Sequence, residues 1–355
     1  MRGLDTSERP VVFIWELTQA CELSCEHCRA DAQPHRHPDE LSTAEGKQLL
    51  EDVSEFGEGQ LVVLSGGDPC KREDLVELVD YGTDLGLSMT LTPSGTDQLT
   101  REVIQDLADV GLKRMALSID GPDPDSHDAF RGEAGSFEQT MRAAKAAADV
   151  GVPLQINTTV CRRTVGGLPE LRTLVADLDA VLWSVFFLVP VGRGRVLDPI
   201  SPERADDVMS WLGDVSDEEE FAVKTTEAPQ YRRVLAQGDA DGGNRRGGVI
   251  AGDGFAFVSH TGEMYPSGFL PESVGNVTDE DPVDLYRNAE LFERLRDRDQ
   301  LKGKCGACPF RSICGGSRSR AYAYTGDPLE SDPLCPFVPP EYDGPLPEQE
   351  FASGD

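Results

Sequence analysis

A partial (β/α)6 barrel, followed by a smaller extension built from a β-hairpin and a helix, is the α/β fold class that this 355-residue sequence predicts. Three observations carry the expectation. From residue 11 to about 215, short β-branched or apolar runs alternate with stretches of helical periodicity. Beyond that point the alternation gives way to an isolated strand, a Gly-rich polar stretch and a hairpin signature. Finally, the length and a hydrophobic fraction of 39% suit a barrel-sized unit with a smaller partner.

The strands read in order as VVFIWE, QLVVLSGG, LSMTLTPS, RMALSIDG, PLQINTTV and VLWSVFFLVP. Helix starts are marked between them. Ser42 with Glu45 and Ser136 with Gln139 fit the capping box, and Ser201-Pro202 supplies an N-cap followed by proline. FAVKTTEAP reads as a further strand, QGDADGGNRRGG as a loop, and DGFAFVSHTGEMYPSGF as a hairpin turning at Thr261-Gly262. The expected divisions are an N-terminal tail (1–10), the barrel (11–215), a connecting strand, helix and loop (216–250), the extension (251–340) and a disordered, Pro-rich acidic tail (341–355).

The charge excludes some functions. Acidic residues number 64 against 33 basic ones, giving a formal net charge of -31 spread along the chain. Such a surface repels nucleic acid and anionic membranes, so neither is expected as a partner. Arg dominates the basic residues, and a dispersed acidic surface poor in Lys reads as adaptation to high salt, which screens self-repulsion. No signal-peptide core precedes VVFIW, and no apolar run is long enough to span a bilayer. A reducing, cytoplasmic location is expected, so the nine cysteines read first as ligands or reactive thiols.

Three of them, Cys21, Cys25 and Cys28, form CxxxCxxC directly after the first strand. Chemistry in β/α barrels is built at that end of the strands. Iron–sulfur cubanes and structural zinc both normally take four protein ligands. His27 lies within the loop, while His35 and His37 fall in a polar segment and read as solvated. A cubane held by three thiolates instead leaves one iron open to an exogenous amino acid's amino and carboxylate groups. This loop resembles the signature of the radical S-adenosylmethionine (radical SAM) superfamily, whose partial barrels are of TIM type and in which that ligand is SAM.

The resemblance continues along the barrel. Gly66-Gly67-Asp68-Pro69 resembles the family's GGEP turn. It implies close backbone approach at the glycines and an acceptor for the SAM ammonium at Asp68. Ser118 and Asp120 resemble the ribose-contacting strand end, and Asn157, Thr158 and Leu188 occupy positions that could meet ribose, carboxylate or adenine. Each polar residue has an equally simple reading as a satisfier of local backbone.

Cys305, Cys308, Cys314 and Cys335 form a second set, CxxCx5C with a distant fourth member. Four thiolates fit zinc as well as a saturated cubane. The segment resembles the SPASM or twitch extension of the superfamily, which implies an auxiliary [4Fe-4S] cluster. Ser267 stands where that extension has another cysteine, so one auxiliary cluster is expected, two clusters in all. Cys70 and Cys161 read as incidental thiols, with Cys161 following strand five at the mouth.

The CGGSRxRAY and TGDPLxxDPxC runs, with PVGRGR, resemble a narrower group that remodels tetrapyrrole side chains, of the AdoMet-dependent haem synthase type. It implies oxidative decarboxylation of iron-coproporphyrin propionates to vinyl groups, with a ferredoxin or flavodoxin as electron donor. Propionates call for bidentate cations, and Arg193, Arg195, Arg232, Arg233, Arg318 and Arg320 are candidates, each with a plain reading as an ion-pair partner. His260 and Tyr265 read as structural members of the hairpin. The rivals are a peptide-modifying maturase and a non-catalytic iron–sulfur or zinc scaffold. The ten residues ahead of strand one weigh against a peptide-recognition domain there, and the intact CxxxCxxC and GGDP against a scaffold.

Overall fold

The computed structural model describes residues 5–238 and 249–347; most of the loop expected over 237–248 and the end of the acidic tail lie outside them. Strands β1 (Val12–Thr18), β2 (Leu61–Gly66), β3 (Ser88–Leu91), β4 (Arg114–Ser118), β5 (Leu154–Val160) and β6 (Leu182–Phe187) are the six expected, all parallel and adjacent in sequence order. Helices α1 (Thr43–Ser54), α2 (Leu75–Asp84), α3 (Arg101–Asp109), α4 (Pro124–Arg131), α5 (Ser136–Val150) and α6 (Leu168–Asp177) fill the crossovers.

Burial follows the pleat. In β4, Met115 and Leu117 are fully buried against the helices, while Arg114, Ala116 and Ser118 face the barrel interior. Gly46 of α1 sits over Trp15, where an added Cβ would stand 2.3 Å from the indole, so the close approach of helix and strand requires glycine.

The sheet is larger than six strands. After α7 (Pro202–Glu218), FAVKTTEAP forms β7 (Ala222–Thr226), a seventh parallel strand paired with β6, and α8 (Gln230–Gly238) follows. The hairpin strands β8 (Phe255–Val258) and β9 (Glu263–Tyr265) turn at Thr261-Gly262 as expected. They are not a detached extension: β8 pairs in parallel with the free edge of β1, and β10 (Gly275–Asn276) ends a ten-stranded sheet. An unpaired β1 edge would leave its backbone donors and acceptors open, and β8 covers them. The short helices α9 (Pro282–Asn288), α10 (Glu290–Arg296), α11 (Gly303–Gly306) and α12 (Arg318–Thr325) carry the chain through the second cysteine set.

Two of the three expected caps form. Ser42 and Glu45 make a reciprocal capping box, and Ser201 accepts from the Arg204 amide with Pro202 behind it. The third differs. Ser136 is already helical, and Asp128 of α4 takes over the N-terminus of α5 by accepting from the Gly135 and Phe137 amides and the Ser136 hydroxyl. A carboxylate supplied from a neighbouring helix cannot be read from a local motif. Among the described residues no helix is long and apolar enough to cross a membrane.

Candidate active site

The loop after β1 is closed by its own backbone, with the Cys21 amide donating to Gln33 O at 2.7 Å. Cys21, Cys25 and Cys28 all border a cavity of about 320 Å³ that runs through the barrel interior. Each thiol has a local donor or partner. Ser94 Oγ stands 3.4 Å from Cys21 Sγ, the Ala32 amide donates to Cys28 Sγ, and Arg131 reaches Cys25 Sγ at 3.8 Å. Burial pushes the Cys21 and Cys25 thiols up, and the Arg131 guanidinium opposes this at Cys25. Three thiols bordering one cavity, with space beyond them, suit a cluster with one exposed corner.

The GGDP turn serves the loop in a way the sequence does not disclose. A Cβ on Gly66 would meet Thr18 O at 2.4 Å and one on Gly67 would meet Ala20 O at 2.3 Å. The glycines therefore admit the cysteine loop's own backbone, and their remaining surface borders the cavity. Asp68 is fully buried. Its Oδ1 accepts from the Cys70 and Ser94 amides and its Oδ2 from the Thr96 hydroxyl at 2.6 Å. The carboxylate expected to accept from an ammonium thus holds the turn, with the buried Pro69 opening a 3₁₀ turn behind it.

Ser118, Asn157 and Leu188 border the cavity as expected, but Asp120 and Thr158 do not. Asp120 is buried against Arg131 at 2.7 Å and accepts from the Thr159 amide, while the Thr158 hydroxyl donates to Ile119 O. Together these bonds fix the ends of β4 and β5. His27 stacks on Phe130 with ring centroids 4.6 Å apart, and burial takes its pKa down to about 4. His35 is exposed, and His37 packs edge-on against His260, whose Nδ1 meets Glu16. Neither His260 nor Tyr265 reaches the cavity. Cys161 packs with Phe130 and Leu188, away from the mouth, and burial pushes the Cys70 thiol well up.

Most of the candidate substrate arginines are structural. Arg193 donates to Cys25 O and Ala32 O, both at 2.9 Å, so PVGRGR braces the cysteine loop. Arg318 donates to Pro328 O and Glu330 O; Arg320 joins Asp332 and the carbonyls of Phe187, Leu188 and Glu227. Both are fully buried. Arg233 pairs with Asp206, and Arg195 lies exposed. Arg193 and Arg232 both border the cavity, and Arg193 Nη2 has no hydrogen-bond partner among the described residues. The interior also holds Ser94, Arg114 and Lys224, which sequence reasoning missed. The available signal was a lone charge at an inward position of an otherwise apolar or Thr-rich strand.

Cys305, Cys308, Cys314 and Cys335 surround a second, much smaller void of about 20 Å³ together with Arg233 and Lys304. Burial pushes Cys314 and Cys335 up to about 12. The Gly316 amide donates to Cys314 Sγ and Arg318 approaches Cys305 Sγ at 3.7 Å, so donors and cations stand ready for thiolates. Among the described residues no three ligating side chains converge tightly enough for a single metal ion. Four thiols around one void suit a thiolate-ligated centre, zinc or iron–sulfur.

Residues 15–171 match the model of the radical SAM superfamily. Over 93% of its length the chain is 39% identical to the AdoMet-dependent heme synthase of Methanosarcina barkeri, covering 97% of that protein. It is 38% identical to the AdoMet-dependent heme synthase of Nitratidesulfovibrio vulgaris, covering 94% of each. Among solved structures, Streptococcus suis SuiB bound to S-adenosylmethionine superposes with a TM-score of 0.75 over 93% of this chain and 78% of that one, at 16% identity. The fold, the three-thiol mouth and these likenesses agree, and the chain belongs to the radical SAM superfamily.

Proposed function

We propose that this chain is a tetrapyrrole-modifying radical SAM enzyme, which oxidatively decarboxylates propionate side chains of an iron-coproporphyrin to vinyl groups. The observation that carries the reading is a pairing. The three-thiol mouth opens on a cavity large enough for a cofactor and part of a substrate, in a chain that resembles a heme synthase over 93% of its length. Cys21, Cys25 and Cys28 would hold a [4Fe-4S] cluster, with Gly66, Gly67, Ser94, Ser118, Asn157 and Leu188 around its SAM. Cys305, Cys308, Cys314 and Cys335 would hold the auxiliary cluster, and a ferredoxin- or flavodoxin-type donor in the reducing cytoplasm would supply electrons.

When bound, these groups supply a 5′-deoxyadenosyl radical and an acceptor for the electron released as a propionate loses a hydrogen atom and carbon dioxide. The chain's own part is to orient and to exclude water. Arg193 and the GGDP turn fix the cysteine loop, and the apolar wall of Leu188, Phe257 and Phe269 keeps the reacting side chain dry.

Anaerobic reconstitution should load about eight irons per chain. Dithionite and SAM should then give 5′-deoxyadenosine, and iron-coproporphyrin III should release carbon dioxide with a vinyl product. A fully loaded protein that yields no 5′-deoxyadenosine removes the enzyme reading. One that leaves the porphyrin intact but changes the mass of a peptide replaces the substrate.

A further inference from the structure

Inside the barrel stand cations that no ion pair among the described residues neutralises. Arg114 opens β4 and Lys224 lies in the middle of β7, and both face the cavity. Among the described residues neither has a hydrogen-bond or ion-pair partner, although acidic side chains outnumber basic ones almost two to one. Arg232, from α8, joins them at the cavity wall, its guanidinium holding only the carbonyls of Ile313 and Val249. The carboxylate that follows β7, Glu227, is taken by the hydroxyls of Ser267, Ser317 and Ser319.

Burial first, then the charges of Arg114 and Arg232, hold the Lys224 ammonium below its ordinary value. Burial likewise lowers Arg114 and Arg232. Like charges gathered in a partly desolvated space cost stability unless an anion arrives. Their position is equally informative. Arg114 lies four residues before Ser118, toward the N-terminal end of the strands, whereas the cysteine loop follows the C-terminal end of β1. Gln155 and Ser184 border the same cavity and offer neutral hydrogen bonds beside the charges.

We propose that Arg114, Lys224 and Arg232 form a carboxylate cradle, which holds the substrate propionates that do not react and so directs a reacting one toward the cysteine end. The cradle rests on the tetrapyrrole reading above. Of the arginines that sequence alone nominated it keeps Arg232, whereas Arg318 and Arg320 are occupied by the fold and Arg193 braces the cysteine loop. An anion here gains charge-assisted bonds without displacing any existing salt bridge. The three groups come from separate elements, so they can meet more than one carboxylate of a large planar substrate.

The test uses the reconstituted, SAM-bound enzyme and two probes, iron-coproporphyrin III and its tetramethyl ester, titrated by visible absorbance. The acid should bind wild-type enzyme at least tenfold more tightly than the ester. Arg114→Met and Lys224→Met should each raise the Kd of the acid about tenfold or more and leave that of the ester unchanged. Lys224→Arg should restore most of the loss, which a merely structural role would not predict. Substrate-free formation of 5′-deoxyadenosine checks that each variant is folded and loaded. Equal binding of acid and ester by wild-type enzyme overturns the cradle without any variant. Unchanged acid affinity in folded Met variants overturns it too, and leaves the tetrapyrrole reading standing. If wild-type enzyme binds neither probe, the tetrapyrrole reading falls and the cradle falls with it.

Discussion

The two cysteine sets are built from the same side chain and prepared in opposite ways. Cys21, Cys25 and Cys28 sit on a loop whose sulfurs border a cavity of about 320 Å³, whereas the four later cysteines enclose a void of about 20 Å³. The first set is held by backbone, through Gly67, Gln33 and Arg193. The second is held by a buried ionic hub, in which Asp332 accepts from Arg320, the Ser317 amide and Gln230. Space is open beside the first set and closed around the second.

The sharpest way to break this comparison is to delete one thiol from each set. Cys25→Ala should abolish 5′-deoxyadenosine formation, by at least about a thousandfold or roughly 4 kcal/mol of barrier. Cys314→Ala should keep substrate-free SAM cleavage while losing decarboxylated product. Equal loss of SAM cleavage in both variants, measured by chromatography on folded protein, would mean that the two sites do not divide the labour. Next in size is the hub. Arg320 and Asp332 are both at the limit of burial, so Arg320→Met should strand a buried carboxylate and cost about 3–5 kcal/mol. A fall in thermal midpoint of only a degree or two would show that the hub is dispensable.

The open site should also be the more sensitive to acid. His127 is buried and its Nδ1 accepts from the Asp120 amide, so burial and the Arg131 charge take its pKa to about 4. Between 6.5 and about 4 the unfolded chain binds a proton that the folded protein refuses. Folding stability is therefore intact above pH 6.5 and declines as pH falls through this window, by up to about 3 kcal/mol. His27 is lowered to about 4 as well, so His127→Asn should reduce that slope in denaturant titrations by about half, and an unchanged slope would assign the acid sensitivity elsewhere. The smallest effect is local. Ser42→Ala removes the α1 cap and should cost about 1 kcal/mol with no change in either cluster's iron content.

The strands and two caps were legible because their causes are local: alternation, β-branching, and a hydroxyl three residues before a glutamate. The strand FAVKTTEAP was legible too, but its parallel pairing with β6 and the β8–β1 pairing were not. Each joins segments through an edge that only the folded sheet defines. The cysteines were legible because their spacing is itself the chemistry. The arginines were not, since a long guanidinium side chain declares its role only through the carbonyls it reaches. Arg320 braces Phe187 and Leu188, over 130 residues away, and nothing near Arg320 in the sequence says so. Asp68 misleads for a related reason: its neighbours Ser94 and Thr96 arrive from the following strand's loop.

The pairing of β8 with β1 also sets an order of events. Glu16, at the threshold of the cysteine loop, is held by His260 from 244 residues further along the chain. A nascent chain that has not yet delivered that hairpin carries all three mouth cysteines on a loop after a strand with one edge bare. The wall of the cavity that Phe255 and Phe257 supply is then missing as well. Both edges of β1 are paired only once the chain has been made as far as Val258.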